Sequence, residues 1–317
     1  MTELIKMTNL MKYFETPKGL LHAVDKVSFT IDRGKTLGVV GESGCGKSTL
    51  GRTILRLIEP TGGKVEFEGK DITTYNRKEL LEFRRQAQII FQDPYASLNP
   101  RLSVSEIIAE PLIVNKMYKS QHELNQAVFR MMEMVGLSPK LVNSYPHELD
   151  GGRRQRIGVA RALVLRPKFV VCDEPVSALD VSIQAQILNL LMDLQDEMKL
   201  TYMFITHDLS VVKHISDEIA VMYLGKCVEK APADELFENP MHPYTKALLS
   251  AIPVPDLSRR GKKRELLTGE VSSPIHPKPG CRFAARCPDA KPECMEEEIE
   301  LKHYGNQHVA ACRMLTD

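Results

Sequence analysis

The sequence predicts an α/β fold built on a parallel sheet, and three observations carry that prediction. Four short apolar runs rich in β-branched residues, TLGVVG (36–41), AQIIFQ (87–92), KFVVCDEP (168–175) and TYMFITHD (201–208), are continuous rather than alternating, as strands buried on both faces are. Between the last two, Ile183, Ile187, Leu190, Leu191, Leu194 and Met198 recur at helical spacing, which gives a crossover helix with one apolar stripe against the sheet. The chain has 317 residues, more than one core usually organises, so a full domain with a smaller appendage is expected.

The remaining elements follow in order. The first 35 residues and KVEFEGKDI (64–72) run in short alternating segments with glycine turns, the pattern of an antiparallel edge layer. Residues 103–163 are helical in pattern, with methionines at 131, 132 and 134, and form the body of an insertion over 93–165 between two core strands. After Ile252 the texture changes to PVPDLSRRGKKRE, a proline-containing and then basic linker. The expected division is therefore 1–255 for the main domain and 256–317 for a small cysteine-rich module.

Composition narrows the class. With 43% apolar residues, 26% charged residues and a formal net charge of +1, the chain has no electrostatic footprint for bulk nucleic-acid or anionic-membrane binding, and nucleic acid is not an expected partner. No apolar run approaches the roughly 18 residues that span a bilayer, and the amino end, MTELIKMTNL, lacks the basic-then-apolar pattern of a secretory signal. A soluble, cytosolic chain is expected. Seven cysteines, an odd number in a chain this long, do not resemble a secreted disulfide framework.

Chemistry enters with Gly41-Glu42-Ser43-Gly44-Cys45-Gly46-Lys47-Ser48, which fits G-x-x-x-x-G-K-[ST] directly after a strand. Leu50, Ile54, Leu57 and Ile58 then mark the helix the motif demands. Such a loop turns the backbone N–H groups of Gly41, Ser43, Gly44, Cys45 and Gly46 toward phosphate oxygens at the positive end of the helix. Lys47 reaches the terminal phosphates, Ser48 ligates Mg2+, and Thr49 adds a hydroxyl. The core is thus of the RecA-like P-loop NTPase kind. Asp173 and Glu174 close the run FVVC; a carboxylate at a strand's carboxyl end holds Mg2+ through water, and its neighbour orients or deprotonates the attacking water.

With these motifs the chain resembles the nucleotide-binding domains of ABC transporters over roughly residues 4–250. Gln92 resembles the Q-loop glutamine, a further Mg2+ contact that couples the phosphate to the helical insertion. Leu149-Asp150-Gly151-Gly152-Arg153 resembles the family signature, Ser177-Ala178-Leu179-Asp180 the D-loop, and His207 the switch histidine at the γ-phosphate. Tyr13, in MKYF, resembles the aromatic that stacks on adenine, although sheet packing explains an aromatic there equally well. The resemblance implies an ATPase of two such domains meeting head to tail, each ATP lying between one P-loop and the opposite signature, with Asp180 linking the sites.

The signature departs from LSGGQ, since Asp150 replaces serine and Arg153 replaces glutamine. A serine hydroxyl donates to a γ-phosphate; an ionised aspartate cannot, and its charge repels. Asp150 nevertheless caps a helix well, and Gly151, Gly152 and the helix dipole still favour an anion. The expectation is asymmetry: this chain's own P-loop, Glu174 and His207 form a competent site with a standard partner signature, and the site closed by Asp150 is weaker.

His242-Pro243-Tyr244-Thr245 followed by KALLSAIP resembles the extension of oligopeptide and dipeptide importer ATPases, a group that also includes nickel importers. The resemblance implies import of peptides, with nickel or another small solute, or a soluble ABC ATPase outside transport, as alternatives. It also implies a second ATP-binding subunit, a paralogue in a heterodimer, and two transmembrane permease subunits, with an extracytoplasmic solute-binding protein as an indirect partner. The place of action would be peripheral, on the cytoplasmic face of the cell membrane.

Cys281, Cys287, Cys294 and Cys312 follow as C-x5-C-x6-C-x17-C among prolines and few large apolar residues. A region so poor in core formers needs a staple. In a reducing cytosol thiolates are metal ligands more readily than disulfides, and the wide gaps lean toward a 4Fe–4S cluster, with Zn2+ or free or disulfide-linked thiols as alternatives. Cys45, Cys172 and Cys227 are isolated and read as non-ligands.

Overall fold

The computed structural model describes residues 2–252 and 272–315; the basic linker and the division near residue 255 lie outside them. In chain order the elements begin with β1 (Glu3–Thr16), β2 (Gly19–Asp32), β3 (Thr36–Val40), α1 (Lys47–Ile54), β4 (Gly62–Phe67) and β5 (Lys70–Asp71). There follow α2 (Arg77–Gln86), β6 (Ala87–Ile90), α3 (Pro94–Ser97), α4 (Val104–Val114), α5 (Gln121–Met134) and α6 (Gly151–Leu163). Next come β7 (Phe169–Asp173), α7 (Val181–Met198), β8 (Thr201–Ile205), α8 (Leu209–Ile215), β9 (Glu218–Tyr223) and β10 (Lys226–Pro232). The last are α9 (Ala233–Glu238), α10 (Pro243–Ser250), β11 (Lys302–His303) and β12 (Val309–Ala310). They group into two compact units: Met1–Leu4, Asp32–Lys35 and Thr74–Phe204 in the first, and Ile5–Ile31, Thr36–Thr73 and Ile205–Asp317 in the second.

In the first unit β6 and β7 pair in parallel, from Ala87 opposite Phe169 to Ile90 opposite Cys172, and β8 lies on the other side of β7. Every residue of β7 and β8 is buried, which is why both runs are apolar without alternation. The crossover α7 buries Ile187, Leu188, Leu191 and Leu194. The helical insertion occupies the connection from β6 to β7, where α4 packs against α5 and α6. Its core is drawn from Val104, Ile107, Ile108, Leu112, Val128, Met131, Met132 and Ile157, all under 5% exposed. Each such side chain contributes about 1.5–3 kcal/mol through burial. Helix starts are fixed by side chains: Ser103 and Glu106 form a capping box on α4, and Ser120 caps α5.

In the second unit one sheet runs in the order β2-β1-β4-β5, with β1 and β4 antiparallel in the register Ile5 opposite Phe67. This is the edge layer that the alternating segments predict. The other strands run β3-β9-β10-β12-β11; β3 and β9 are parallel, Val40 opposite Val221, and the additions beyond β9 are antiparallel. The appendage solves its shortage of core formers by docking. Ala310 and Val309 of β12 pair with Glu229 and Lys230 of β10, and Phe283 inserts edge-on against Tyr223 at 5.3 Å. A second attachment bridges Leu21 to Ile275, with the His22 N–H donating to the Pro274 carbonyl at 3.0 Å.

One expectation needs correction. The helix after the P-loop ends at Ile54, so Leu57, 46% exposed, is not part of its apolar stripe. The chain leaves the helix at Arg56, whose φ is 47° and whose guanidinium donates to the Ile72 carbonyl at 2.8 Å. Among the described residues no helix is long and apolar enough to cross a membrane.

Candidate functional site

The phosphate loop leaves β3, all five of whose residues are buried. At Gly46 φ is 105°, and a Cβ there would lie 2.0 Å from the Ala23 carbonyl oxygen, so only glycine lets the loop pass and open α1. Lys47 is 5% exposed. Its ammonium donates to the carbonyls of Gly41 at 2.8 Å and Glu42 at 3.0 Å, and lies 3.8 Å from the Cys45 sulfur, which satisfies a charge that burial alone would penalise. Ser43 and Gly44 form the exposed tip, and Ser48 and Thr49 are half-buried in the first turn of α1. Burial pushes the Cys45 thiol up and the Cys227 thiol up to about 12, and Cys172 also rises. None of these three has the character of a thiolate ligand.

Tyr13 lies in the same unit. Its hydroxyl donates to Asp25 at 2.6 Å, and its ring stacks on His22 with centroids 4.0 Å apart and planes inclined by 25°. Asp25 also accepts from Arg282 and pairs with Lys226. Burial pushes its carboxyl up, but the Tyr13 hydroxyl and the two cations outweigh that and hold it below the ordinary carboxylate range. His207, just beyond β8, is exposed; the next residue, Asp208, caps α8 by accepting from the Ser210 N–H at 2.8 Å.

The first unit carries the carboxylates. Asp173 ends β7 and is 1% exposed. Glu174 turns the chain with φ of 47°, an uncommon conformation for a non-glycine residue and a frequent mark of functional sites. Its carboxylate accepts from the Gln92 side-chain amide at 2.8 Å, and Gln92 also reaches Ser177 at 3.4 Å. The structure thus joins Gln92, Glu174 and the start of the D-loop, residues 82 and 85 positions apart in sequence. Asp180 caps α7 by accepting from the Ile183 N–H at 3.2 Å.

The signature sits at the start of α6. The Asp150 carboxylate accepts from the Arg153 N–H at 2.8 Å, and the Arg153 guanidinium returns to it at 3.4 Å. A Cβ at Gly152 would come 2.8 Å from Ile183, and one at Gly151 3.1 Å from Leu179. The two glycines therefore let α6 approach the D-loop and α7 closely. Asp150 both caps the helix and is part-neutralised by its own neighbour, so the substituted signature keeps its helical geometry and loses the serine donor.

In the second unit Ser48 offers a hydroxyl, and in the first Asp173 offers a carboxylate and Gln92 an amide oxygen, left as acceptor by the nitrogen's bond to Glu174; each is a hard oxygen of the kind Mg2+ takes. The four C-terminal cysteines are free and line one small space of about 10 Å³ together with His242, Phe283 and Met314. Burial pushes Cys281 up to about 11 and raises Cys287 and Cys312 as thiols. Yet among the described residues no group of three or more His, Cys, Asp or Glu side chains is placed to hold a metal ion. Neither the 4Fe–4S expectation nor the zinc alternative gains support from this arrangement.

Sequence reasoning named Glu42 and Tyr244 only as members of their motifs and overlooked Asp25, Arg282 and Arg286. The Glu42 carboxylate is bound by both Arg286 nitrogens at 2.8 and 3.0 Å, and the Glu42 N–H donates to the Tyr244 hydroxyl at 2.8 Å. The available signal was the pair of arginines inside CRFAARC, which no spacing rule connects to a loop 244 residues away.

Comparison with known proteins places the chain in a family. Residues 24–177 match the family described as ABC transporter, and residues 228–294 match the oligopeptide/dipeptide transporter C-terminal region. The chain is similar to the oligopeptide transport ATP-binding protein AppF of Bacillus subtilis, 50% identical over 322 residues covering 98% of this chain and 97% of that protein. It is also similar to the dipeptide transport ATP-binding protein DppF of Haemophilus influenzae, 50% identical over 319 residues covering 98% and 96% of the two chains. Among solved structures it resembles a dimeric ATP-binding cassette in a post-hydrolysis state bound to ADP and Pi, with TM-score 0.66, 28% identity, and 73% of this chain and 99% of that chain covered. A phosphate loop on β3, a carboxylate pair ending β7, a glutamine on the second carboxylate and a signature capping α6 are the parts of a transport ATPase, and the chain belongs to the ATP-binding subunits of the ABC transporter family that carry the oligopeptide/dipeptide C-terminal region.

Proposed function

We propose that this chain hydrolyses ATP to power import of oligopeptides or dipeptides through separate transmembrane permeases. The observation that carries the reading is the union, on one chain, of the complete ATPase motif set with the C-terminal region over residues 228–294. Both relatives named above act, by their names, in transport of these two solute classes. The chain works at the cytoplasmic face of the membrane, paired head to tail with a second ATP-binding subunit; support for pairing comes from a similar cassette whose solved structure is dimeric. Asp150 favours a paralogue as that partner, since a standard signature there completes this chain's own P-loop site.

The chemistry assigns each group a task. Lys47 exchanges its loop carbonyls for β- and γ-phosphate oxygens, and the α1 terminus receives their charge. Glu174 accepts the proton of the attacking water as the new P–O bond forms and the bond to ADP breaks. Gln92, already bonded to Glu174, holds that carboxylate in place. His207 stabilises charge at the γ-phosphate. Ser48, Asp173 and Gln92 would hold Mg2+, which when bound would supply neutralisation of phosphate charge.

The cysteine-rich region 256–317 serves as a module on this ATPase, and its four thiolates hold a 4Fe–4S cluster. Support comes from the four free thiols that line one space. Anaerobically purified protein is expected to absorb near 400 nm, with about four iron atoms per chain, and Cys294→Ser to abolish the absorbance. Colourless, iron-free protein with full ATPase coupling would rule the cluster out. Purification of the tagged chain from native membranes tests the broader reading: two permeases and a second ATP-binding subunit should accompany it, whereas ribosomes or no membrane partner would refute it.

A further inference from the structure

We infer that Arg286, in the C-terminal region, is a positioning residue for the phosphate loop, so that the ATP site is built in part from outside the nucleotide-binding motifs. The inference rests on the P-loop reading and deepens it. Glu42 is the second residue of the loop, and each of its polar groups is committed. Its carbonyl accepts from Lys47 at 3.0 Å, its N–H donates to Tyr244 at 2.8 Å, and its carboxylate receives a two-pronged pair from Arg286 at 2.8 and 3.0 Å. Two of these three ties come from the C-terminal region.

Burial makes the tie consequential. The Arg286 side chain is 6% exposed and that of Glu42 27%. The guanidinium lies 5.9 Å from the Tyr223 ring, and Tyr223 packs edge-on against Tyr244 at 4.7 Å and Phe283 at 5.3 Å. This aromatic floor fixes the fork before it meets Glu42, and bidentate pairs of this kind have defined direction as well as strength. The bond to Glu42 raises Arg286 above its already high ordinary value, so its charge is permanent.

The consequence is electrostatic and geometric. A bare carboxylate at residue 42 would sit on the loop that cradles a polyanion and repel it. Arg286 neutralises that charge and holds the Glu42 backbone, whose carbonyl sets where Lys47 rests. A second arginine of the same segment, Arg282, bonds Asp25, the acceptor of the Tyr13 hydroxyl at 2.6 Å.

The test uses the full chain and a fluorescent ATP analogue, with Lys47→Ala as the control for binding through the loop. Arg286→Gln is expected to weaken binding roughly tenfold, and Arg286→Lys about threefold, since one charge remains without the fork. Adding Glu42→Gln to Arg286→Gln should restore affinity to within about threefold of wild type, because the repelling charge is gone. In the assembled transporter KM for ATP rises while kcat at saturation stays within about twofold. A purely structural role would leave the double variant as weak as the single one, and that result, or wild-type affinity in folded Arg286→Gln, overturns the inference. Should Arg286→Gln not fold, Arg286→Lys decides by the same affinity criterion. If wild-type protein itself fails to bind the analogue, the P-loop reading falls and the inference with it.

Discussion

His242 shows how a single motif residue carries a pH dependence unrelated to catalysis. It caps α10, its Nδ1 accepting from the Tyr244 N–H at 3.1 Å, and burial pushes its imidazole down from 6.5 to about 4, with Glu229 opposing and Lys246 adding to the shift. The unfolded chain takes up a proton below about 6.5 while the folded chain does not until about 4. This contribution is therefore complete above the higher value and is lost as pH falls through the window, by roughly 3 kcal/mol in all. Asparagine caps equally well and does not titrate. His242→Asn should accordingly flatten the fall of unfolding free energy between pH 6.5 and 4, measured by urea denaturation; an unchanged slope would remove His242 as its source.

At the scale of elements, Asp150 separates a structural from a catalytic role on one helix. Asp150→Ala removes the cap on α6 and should cost about 1 kcal/mol of stability, whereas Asp150→Ser keeps a cap and should stay within about 0.5 kcal/mol. The same Asp150→Ser change restores a hydroxyl donor, so turnover of the reconstituted complex should rise. A complex whose two sites already turn over equally would contradict the asymmetry.

The elements also show what the sequence could reveal. The buried strands were legible because burial on both faces removes alternation, and the helix stripe at Ile187, Leu191 and Leu194 because packing repeats at the helical period. The end of α1 was not, because Leu57 and Ile58 keep the right spacing and only the turn at Arg56 takes them off the helix. Of the site, the glycine loop, Asp173, Glu174 and the signature follow local patterns. The contact from Arg286 to Glu42 follows none: it depends on β12 pairing with β10 and on Phe283 finding Tyr223.

For the whole molecule, the C-terminal residues 272–315 belong to the same compact unit as the phosphate loop, and their docking through β12, Phe283 and Arg286 replaces the private core they lack. Under the proposed function, ATP-driven transport depends on Lys47 and Glu174. The most direct test is uptake of a labelled oligopeptide into proteoliposomes holding the purified complex, with peptide-loaded binding protein and Mg-ATP supplied on opposite faces. Lys47→Ala and Glu174→Gln should each assemble normally and reduce ATP-driven uptake by at least about a hundredfold; uptake at the wild-type rate in both variants would contradict the account.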